Sequence, residues 1–299
     1  MPITRFPLRD EADMPRILDL VRNMPVACRH IIDLPWRLCA LVDINEGLDA
    51  VFWEDSDGKV IGFAACQYVW AALDFFILPG SEAQTVATDL FAWANERFQE
   101  RKWPYPYWVE FRDDDLERQQ LVKAHGFLNE VEDRYILFQH AFANLPLVPT
   151  LPAGFQLRSL IGEQEVAAYT ELHRAAFEST SMTPEWRART LRMFPYRPEL
   201  DLVISAPDGS LAGFCVGWFE PSRSIAQIEP IGVHPRFHRL GLGRVLLLEM
   251  LHRFKSHGAN SAIVETDVDR IPARHAYESV GFQQVHTIRS TKKLLKPLV

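Results

Sequence analysis

Apolar positions along the chain switch between helical and strand-like spacing. Residues 8–13 open a segment whose apolar positions recur at helical spacing as far as Val21, and residues 157–160 open a similar segment that continues to Phe177. In each half, a hairpin and then a strand-helix-strand-helix-strand order follow. This order predicts a mixed sheet with helices on its faces.

Two segments of the first half recur in the second half. The turn and strand at 57–64 recur at 208–215, 151 positions later, and Gly126-Phe127 recurs as Gly281-Phe282, 155 positions later. A period this long indicates duplicated domains, because solenoid repeats span about 20–50 residues. We therefore predict an α/β (α+β) fold with two tandem domains, each a mixed, mainly antiparallel sheet flanked by helices. The proline-rich stretch 143–152 separates them, giving domains 1–145 and 151–299.

The turn from Val233 to Arg244 has the composition of an anion site at a helix N-terminus. Gly241 and Gly243 allow the backbone to approach a phosphate, and basic residues flank them. A truncated dinucleotide fingerprint is one alternative, although Leu246 stands where that motif needs a third small residue. A turn without any ligand is the other alternative.

This turn resembles the acetyl-CoA pyrophosphate arm of the GNAT family of N-acetyltransferases. The matching pattern is Val-x-Pro-x-aromatic-x-Arg-x-Gly-Leu-Gly before a leucine-rich helix. The family usually has Arg or Gln where this chain has His238, and Asn where it has Arg270. The resemblance implies acetyl-CoA as co-substrate and a binding set formed by Ile231, Gly232, Val233, His238, Arg239, Leu240, Gly241, Leu242, Gly243, Arg244 and Arg270.

A tyrosine near the chain's end fits a second motif of the same family. The pattern Ala273-x-x-Ala276-Tyr277-x-x-x-Gly281-Phe282 resembles the signature in which a tyrosine protonates the departing coenzyme A thiolate. A phenol at hydrogen-bond distance can do this chemically. The alternative is a tyrosine that only packs its ring on the sheet.

The strand before the anion turn, residues 225–233, offers a candidate base. Strand periodicity predicts that Gln227, Glu229, Ile231 and Val233 share one face, and Pro230 and Gly232 predict a bulge or a splayed strand beside it. Such a gap would admit the thioester. Glu229 is then the candidate base for the acceptor ammonium, or else an ordinary edge glutamate.

His234 is a second candidate for the base, although its position before Pro235 is typical of a turn residue. The acceptor pocket is expected in the opening segment of this half. Its candidate residues are His173, Phe177, Glu178, Ser179, Thr180, Ser181, Met182 and Trp186, with Trp218 and Phe219 as possible walls. The same residues would also suit an ordinary capped loop between two helices.

The first half lacks this chemistry. Its corresponding turn has one glycine, Gly80, and Glu82 where a phosphate would lie, and Val122 stands in the position of Tyr277. We therefore expect an acetyl-CoA site in the second half alone. Among tandem members of the family, this arrangement is similar to that of the mycothiol synthases, which acetylate a cysteinyl amino-sugar.

The predicted function is acetyl transfer to a primary amine of a small molecule, by direct attack on the thioester, since no cysteine is placed to form an acyl-enzyme. The alternative is a non-catalytic acyl-CoA-binding sensor or interaction module. The net charge of −7 and pI near 5.8 disfavour a nucleic-acid partner. The sequence lacks a signal peptide and a long apolar run, so we expect a cytoplasmic protein without a membrane partner. The four cysteines lack metal-ligand spacing, which predicts no metal site, and a monomer is compatible with the sequence.

Overall fold

The structure, a computed structural model, describes residues 3–8, 11–25, 27–41, 49–104 and 106–295. The chain forms two compact units. The first comprises Met1–Arg134 together with His286–Val299, and the second comprises Tyr135–Val285.

The first unit contains a mixed, mainly antiparallel sheet with strand order β1-β2-β3-β4-β5-β12. Within it β4 and β5 are parallel, and the other recorded pairs are antiparallel. Its strands are β1 (Thr4–Pro7), β2 (Ala50–Glu54), β3 (Val60–Gln67), β4 (Ala72–Ile77), β5 (Tyr107–Arg112) and the later part of β12 (Gln283–Lys293). Its helices are α1 (Met14–Arg22), α2 (Leu34–Cys39), α3 (Ala83–Glu100) and α4 (Leu116–Ala124).

The second unit repeats this plan with strand order β6-β11-β10-β9-β8-β7. Its parallel pair is β10 with β11. Its strands are β6 (Glu132–His140, from Tyr135 onward), β7 (Gln156–Ser159), β8 (Asp201–Ser205), β9 (Leu211–Glu220), β10 (Ile225–Val233) and β11 (Ser261–Asp267). Its helices are α5 (Val166–Phe177), α6 (Pro184–Arg192), α7 (Leu242–Ser256) and α8 (Ile271–Ser279). Both units therefore have the predicted fold class.

The units do not divide the chain where the sequence suggested. The predicted boundary at 145–151 lies inside the second unit, and the last strand of each half belongs mostly to the other half's unit. Tyr135–His140 of β6 pairs with β11, and Ile288–Lys293 of β12 pairs with β5. A proline-rich stretch indicates where the chain leaves regular structure, but it carries no information on which sheet the preceding strand joins.

The start of each half also differs from the prediction. Residues 157–160, expected to open a helix, instead form β7, and Thr4–Pro7 forms β1 before the first helix. The helices begin later, at Met14 and Val166. Four-residue strands are too short to show a clear alternation, which is why the longer helical pattern concealed them.

The hairpins and the later helices follow the sequence closely. Gly58 and Gly209 adopt φ values of +77° and +84°, which the tight turns between β2 and β3 and between β8 and β9 require. Helix α7 ends just before Gly258, whose φ is +90°, and α8 has a proline in its first turn. The leucine-rich face of α7 is buried against β9, where Gly217 leaves room for Phe254 and Met250.

Strand β10 carries the irregularity on which the candidate site depends. It pairs in parallel with β11 only over Ile225–Ile228 in the recorded register, and its pairing with β9 shifts between Ile228 and Ile231. This bulge and the divergence of the two strands confirm the prediction made from Pro230 and Gly232.

The same bulge makes one prediction wrong. Ile231 lies opposite Cys215, whereas Gln227 lies opposite Trp218, so these two residues of β10 lie on opposite faces. Val233 shares the face of Ile231, and Gly232 shares the face of Gln227. One extra residue inverts the alternation after it, so strict periodicity cannot be extended through Pro230.

Candidate active site

A cleft of about 840 Å³ opens in the second unit beside the bulge of β10. It is bounded by the end of α5, the end of β10, the turn into α7, and α8. The lining residues are Ala176, Phe177, Glu178, Ile231, Gly232, Val233, Phe237, His238, Arg239, Gly241, Leu242, Gly243, Arg244, Leu247, Arg270, Pro272, Ala273, Ala276 and Tyr277.

The N-terminus of α7 supplies the anion-binding part of this cleft. Gly241 caps the helix with a φ of +76°, and the N–H of Val245 donates to the Gly241 carbonyl. The N–H groups before Val245 therefore have no acceptor within the helix and lie at the positive end of the helix dipole. This arrangement fits a phosphate or pyrophosphate.

Open space surrounds both glycines of this turn. A Cβ built on Gly241 meets no atom within 4 Å, and one built on Gly243 meets only Val233 Cγ2, at 3.7 Å. The glycines therefore keep the cleft clear for a ligand, since no protein atom packs against them closely.

Two predicted binding residues use their side chains within the protein. His238 Nε2 lies 3.1 Å from the Val233 carbonyl, which can only accept, so Nε2 carries the proton. The Arg244 guanidinium donates to the carbonyl and hydroxyl of Ser279 and thereby ties α7 to the end of α8. Both residues line the cleft, and these hydrogen bonds connect the turn to the end of β10 and to α8.

Leu240 and Arg270 have different positions from the rest of the predicted set. Leu240 is 44% exposed and is not among the lining residues. Arg270, at the N-terminus of α8, places its guanidinium carbon 5.2 Å from the centre of the Phe177 ring and its Nε 3.6 Å from Asp267. Its contact with Phe177 joins two walls of the cleft.

Tyr277 is both packed and accessible to the cleft. Its ring lies 5.8 Å from that of Phe138 and 6.0 Å from that of Phe282, and the residue lines the cleft. Burial, reinforced by the charge of Glu229, raises the pKa of Tyr277 well above its ordinary value. The phenol is therefore protonated at neutral pH.

Glu229 lies in the bulge itself and is half-buried. Its backbone carbonyl accepts a 2.8 Å hydrogen bond from Trp218 Nε1, which fixes the bulged peptide. It is not among the residues that line the cleft, but its charge acts on Tyr277. The predicted acid and the predicted base are thus close enough to interact electrostatically.

The other sequence candidates separate into two groups. His234 Nδ1 accepts a hydrogen bond from the Arg236 N–H, as a turn residue would. Of the expected acceptor-pocket residues, Phe177 and Glu178 line the cleft, whereas His173, Met182 and Trp186 are buried. Burial lowers the pKa of His173 to about 3, with Arg187 and Arg174 adding to the effect, so this imidazole is neutral.

Several lining residues were not predicted. Leu247 follows Gly243 by one helical turn, and Ala273 and Ala276 precede Tyr277 by four residues and by one. Helical spacing from the motif glycine and tyrosine would have found them. Ala176, at the end of α5, could not be found this way, because its approach to Gly232 depends on tertiary packing: a Cβ built on Gly232 would lie 2.9 Å from the Cβ of Ala176.

The first unit contains a corresponding cleft of about 720 Å³, but its interior differs. Strands β3 and β4 of the first unit correspond to β9 and β10 of the second. When Gly62 of β3 is aligned with Gly213 of β9, Phe75 of β4 takes the position of Ile231 in β10. Arg118 donates a 3.0 Å hydrogen bond to the Phe75 carbonyl, and its guanidinium carbon lies 3.7 Å from the centre of the Phe75 ring.

In the same register, Asp74 takes the position of the bulged pair Glu229-Pro230. Asp74 accepts two hydrogen bonds from Arg37, at 2.6 and 3.0 Å. Although burial opposes it, the neighbouring Arg37 and His30 lower the pKa of Asp74. A carboxylate held in this way is a poor proton acceptor.

One group of possible metal ligands occurs among the described residues, in the first unit. Asp113, Asp114 and His286 have ligand atoms within 4.8 Å of one another. Arg112 pairs with Asp114 at 2.6 Å, and His286 Nδ1 lies 2.9 Å from Asp113. Protein partners thus account for the proximity of these groups. Separately, no helix in the described ranges is both long and apolar enough to cross a membrane.

Comparison with known proteins places the cleft in a family. The profile of the Acetyltransferase (GNAT) family matches residues 166–282, which include the α7 turn, the bulge and Tyr277. Residues 166–282 belong to the GNAT family. The protein is an acetyl-CoA-dependent N-acetyltransferase, and acetyl-CoA is its co-substrate.

Two mycothiol acetyltransferases differ in how much of the chain they match. A mycothiol acetyltransferase of Thermomonospora curvata is 26% identical over 277 residues, which cover 90% of each chain. One from Kineococcus radiotolerans is 31% identical over 144 residues, 47% of this chain and 46% of that protein.

Solved structures show the same fold over the whole length of the acetyltransferase. A GCN5-related N-acetyltransferase from Sphaerobacter thermophilus has a TM-score of 0.62 at 20% identity, covering 99% of this chain and 97% of that one. A tandem GNAT protein from the clavulanic acid biosynthesis pathway also has a TM-score of 0.62, at 17% identity, covering 97% and 98%.

Proposed function

We propose that the second unit alone transfers the acetyl group, to a primary amine of a small molecule, and that the first unit binds no acetyl-CoA. The α7 N-terminus, the bulge of β10 and Tyr277 in one cleft carry this proposal. The first unit has Arg118 against Phe75 and the Asp74–Arg37 ion pair at the corresponding positions. The basic turn with two glycines also has no counterpart there.

The chemistry would run as direct attack. Glu229 accepts a proton from the acceptor ammonium, and the free amine attacks the thioester carbonyl carbon. As the C–S bond breaks, the Tyr277 hydroxyl gives its proton to the leaving thiolate. The second proton of the amine nitrogen is released when the amide forms, and it restores the phenol through solvent.

Several proposed contacts follow from the positions of the binding residues. The N–H groups at the start of α7, from Gly241 to Arg244, hold the pyrophosphate, with Arg239 and His238 shaping the turn and Leu240 contributing backbone only. The end of β10, from Ile231 to Val233, offers backbone hydrogen bonds along the thioester arm, because it has separated from β11. Arg270 closes the cleft over this arm.

The acceptor class is proposed from the relatives. Mycothiol acetyltransferases cover 90% of this chain at best, which favours a cysteinyl amino-sugar as the acceptor. A thiol-bearing acceptor would interfere with thiol dyes, so coenzyme A release should be followed by chromatography. The panel comprises N-cysteinyl-glucosamine, glucosamine and L-cysteine.

We expect coenzyme A formation with N-cysteinyl-glucosamine and one acetyl-CoA site per chain by calorimetry. Binding without turnover for any amine would favour an acyl-CoA sensor. Two acetyl-CoA sites per chain would refute the claim that the first unit binds no acetyl-CoA. No binding at all would refute the proposal as a whole.

A further inference from the structure

A fully buried polar cluster lies beneath the helices α5 and α6 of the second unit. It consists of Tyr169 on α5, Arg187 on α6 and Asp201 at the start of β8, each with 0% exposure, and the half-buried Tyr196. Charged side chains are rarely buried to this degree unless they are paired. None of these residues was singled out as a site residue from the sequence.

Contacts within the cluster hold the Tyr169 ring in one orientation. Arg187 forms an ion pair with Asp201, and the Tyr196 hydroxyl donates a 2.7 Å hydrogen bond to the same carboxylate. The guanidinium carbon of Arg187 lies 3.6 Å from the centre of the Tyr169 ring. The ring centres of Tyr169 and of Phe214, on β9, are 5.0 Å apart. The direction of the Tyr169 hydroxyl is therefore fixed.

Despite this packing, the cluster retains buried polar atoms without hydrogen bonds. Tyr169 Oη, Arg187 Nε and Nη1, and Asp201 Oδ1 have no hydrogen-bond partner among the described residues. Buried polar atoms are almost always paired, and the exceptions commonly mark internal water or a catalytic centre. A phenylalanine at position 169 would pack equally well, so the hydroxyl needs its own explanation.

The sheet register places this cluster beside the bulge of β10. Asp201 pairs with Val216 on β9, and Val216 lies opposite the bulged residues Glu229 and Pro230. Burial raises the pKa of Tyr169 against the opposing charge of Arg187, and Asp201, Cys215 and, least of these, Glu229 add to the rise. Glu229 also raises the pKa of Tyr277. The charge of Glu229 thus acts on one tyrosine of α5 and one of α8.

We propose that Tyr169 is a positioning residue of the acetyl transfer, whose hydroxyl holds a water molecule between the acceptor ammonium and Glu229. The inference rests on the proposed role of Glu229 as the base. One N–H bond of the ammonium breaks as the water gains that proton, and the water gives another proton to a Glu229 carboxylate oxygen. Water bridges polar groups that are too far apart for a direct hydrogen bond.

Tyr169→Phe tests this inference, since it removes one oxygen and keeps the ring between Arg187 and Phe214. We expect kcat/KM for N-cysteinyl-glucosamine to fall about tenfold, with the acetyl-CoA dissociation constant unchanged. We also expect the acid limb of its pH profile to move up by about one unit, because the ionised Glu229 loses a water-mediated donor.

Tyr196→Phe is the matched control, because it removes a hydroxyl from the same cluster that binds Asp201 instead. The acid limb of its pH profile should lie at the same pH as in the wild type. An unchanged limb in Tyr169→Phe, or an equal shift in both variants, would overturn the inference in favour of a purely structural role.

Glu229→Gln separates this inference from the proposed function. If Glu229→Gln lacks the acid limb of the pH profile while Tyr169→Phe keeps it at the wild-type pH, only the role of Tyr169 is refuted. If Glu229→Gln keeps the wild-type profile, the base assignment and the link to Tyr169 fail together, while acetyl transfer itself stands. Complete absence of turnover in the wild-type protein would instead refute the proposed function.

Discussion

Gly243 offers a clean way to test the anion site at the start of α7. It is the second residue of the helix and is not among the residues with positive φ, so alanine can adopt its backbone conformation. The added methyl would lie 3.7 Å from Val233 Cγ2, an ordinary contact, and would otherwise point into open space. Gly243→Ala should therefore leave the protein at least as stable as the wild type, because alanine is favoured over glycine in helices.

The same methyl would lie where a phosphate must approach the helix N–H groups. Hydrogen bonds to a charged group contribute about 1.5–3 kcal/mol each, so weakening one of them should raise the acetyl-CoA dissociation constant about 10- to 150-fold. Isothermal titration calorimetry gives the dissociation constant, and thermal denaturation gives the stability of the same sample.

Gly80→Ala is the control for this test. Gly80 lines the cleft of the first unit, and a Cβ there meets no atom within 4 Å. Because its φ of +157° disfavours alanine, this control is compared by its dissociation constant and not by its stability. Its dissociation constant should equal that of the wild type. Unchanged affinity in Gly243→Ala, or an equal loss in Gly80→Ala, would show that the phosphate does not bind at α7 as argued. Gly241 is a poorer choice, because its φ of +76° would strain any side chain.

Three further substitutions test the chemistry and the electrostatics. Tyr277→Phe should lower kcat about 100-fold in steady-state assays with little change in acetyl-CoA affinity, since the phenol acts only on the departing thiolate; an unchanged kcat would leave Tyr277 a packing residue. Glu229→Gln should lower kcat/KM for the amine at pH 7 and recover partly at high pH, where the amine loses its proton unaided; a uniform loss at every pH would contradict the base. His173→Phe should remove a pH dependence of stability. The pKa of His173 in the folded protein is about 3, below its ordinary 6.5. The free energy of unfolding of the wild type should therefore fall by up to about 1.4 kcal/mol per pH unit between pH 6.5 and 3. Denaturant melts of both proteins over that range measure the difference, and parallel curves would contradict the assignment.

The sequence predicted those parts of the fold that depend on local chemistry. The turns of the hairpin segments 57–64 and 208–215 and the bulge beside Pro230 depend on backbone properties of single residues. The short strands β1 and β7 and the exchange of the last strands could not be predicted, because pairing partners are set by packing far along the chain. The cluster around Arg187 was missed for the same reason: residues 169, 187 and 201 share no local pattern.

The bulge of β10 links the fold to the candidate chemistry. Without the extra residue, Gln227, Glu229 and Ile231 would lie on one face. The first unit shows this simpler state, since β4 keeps an unbroken register with β3 and its Asp74 is neutralised by Arg37. In the second unit, the insertion shifts the register after Ile228, so that Ile231 and Val233 lie on the opposite face from Gln227 and line the cleft. A single added residue in β10 therefore decides on which face of the sheet the last residues of that strand lie.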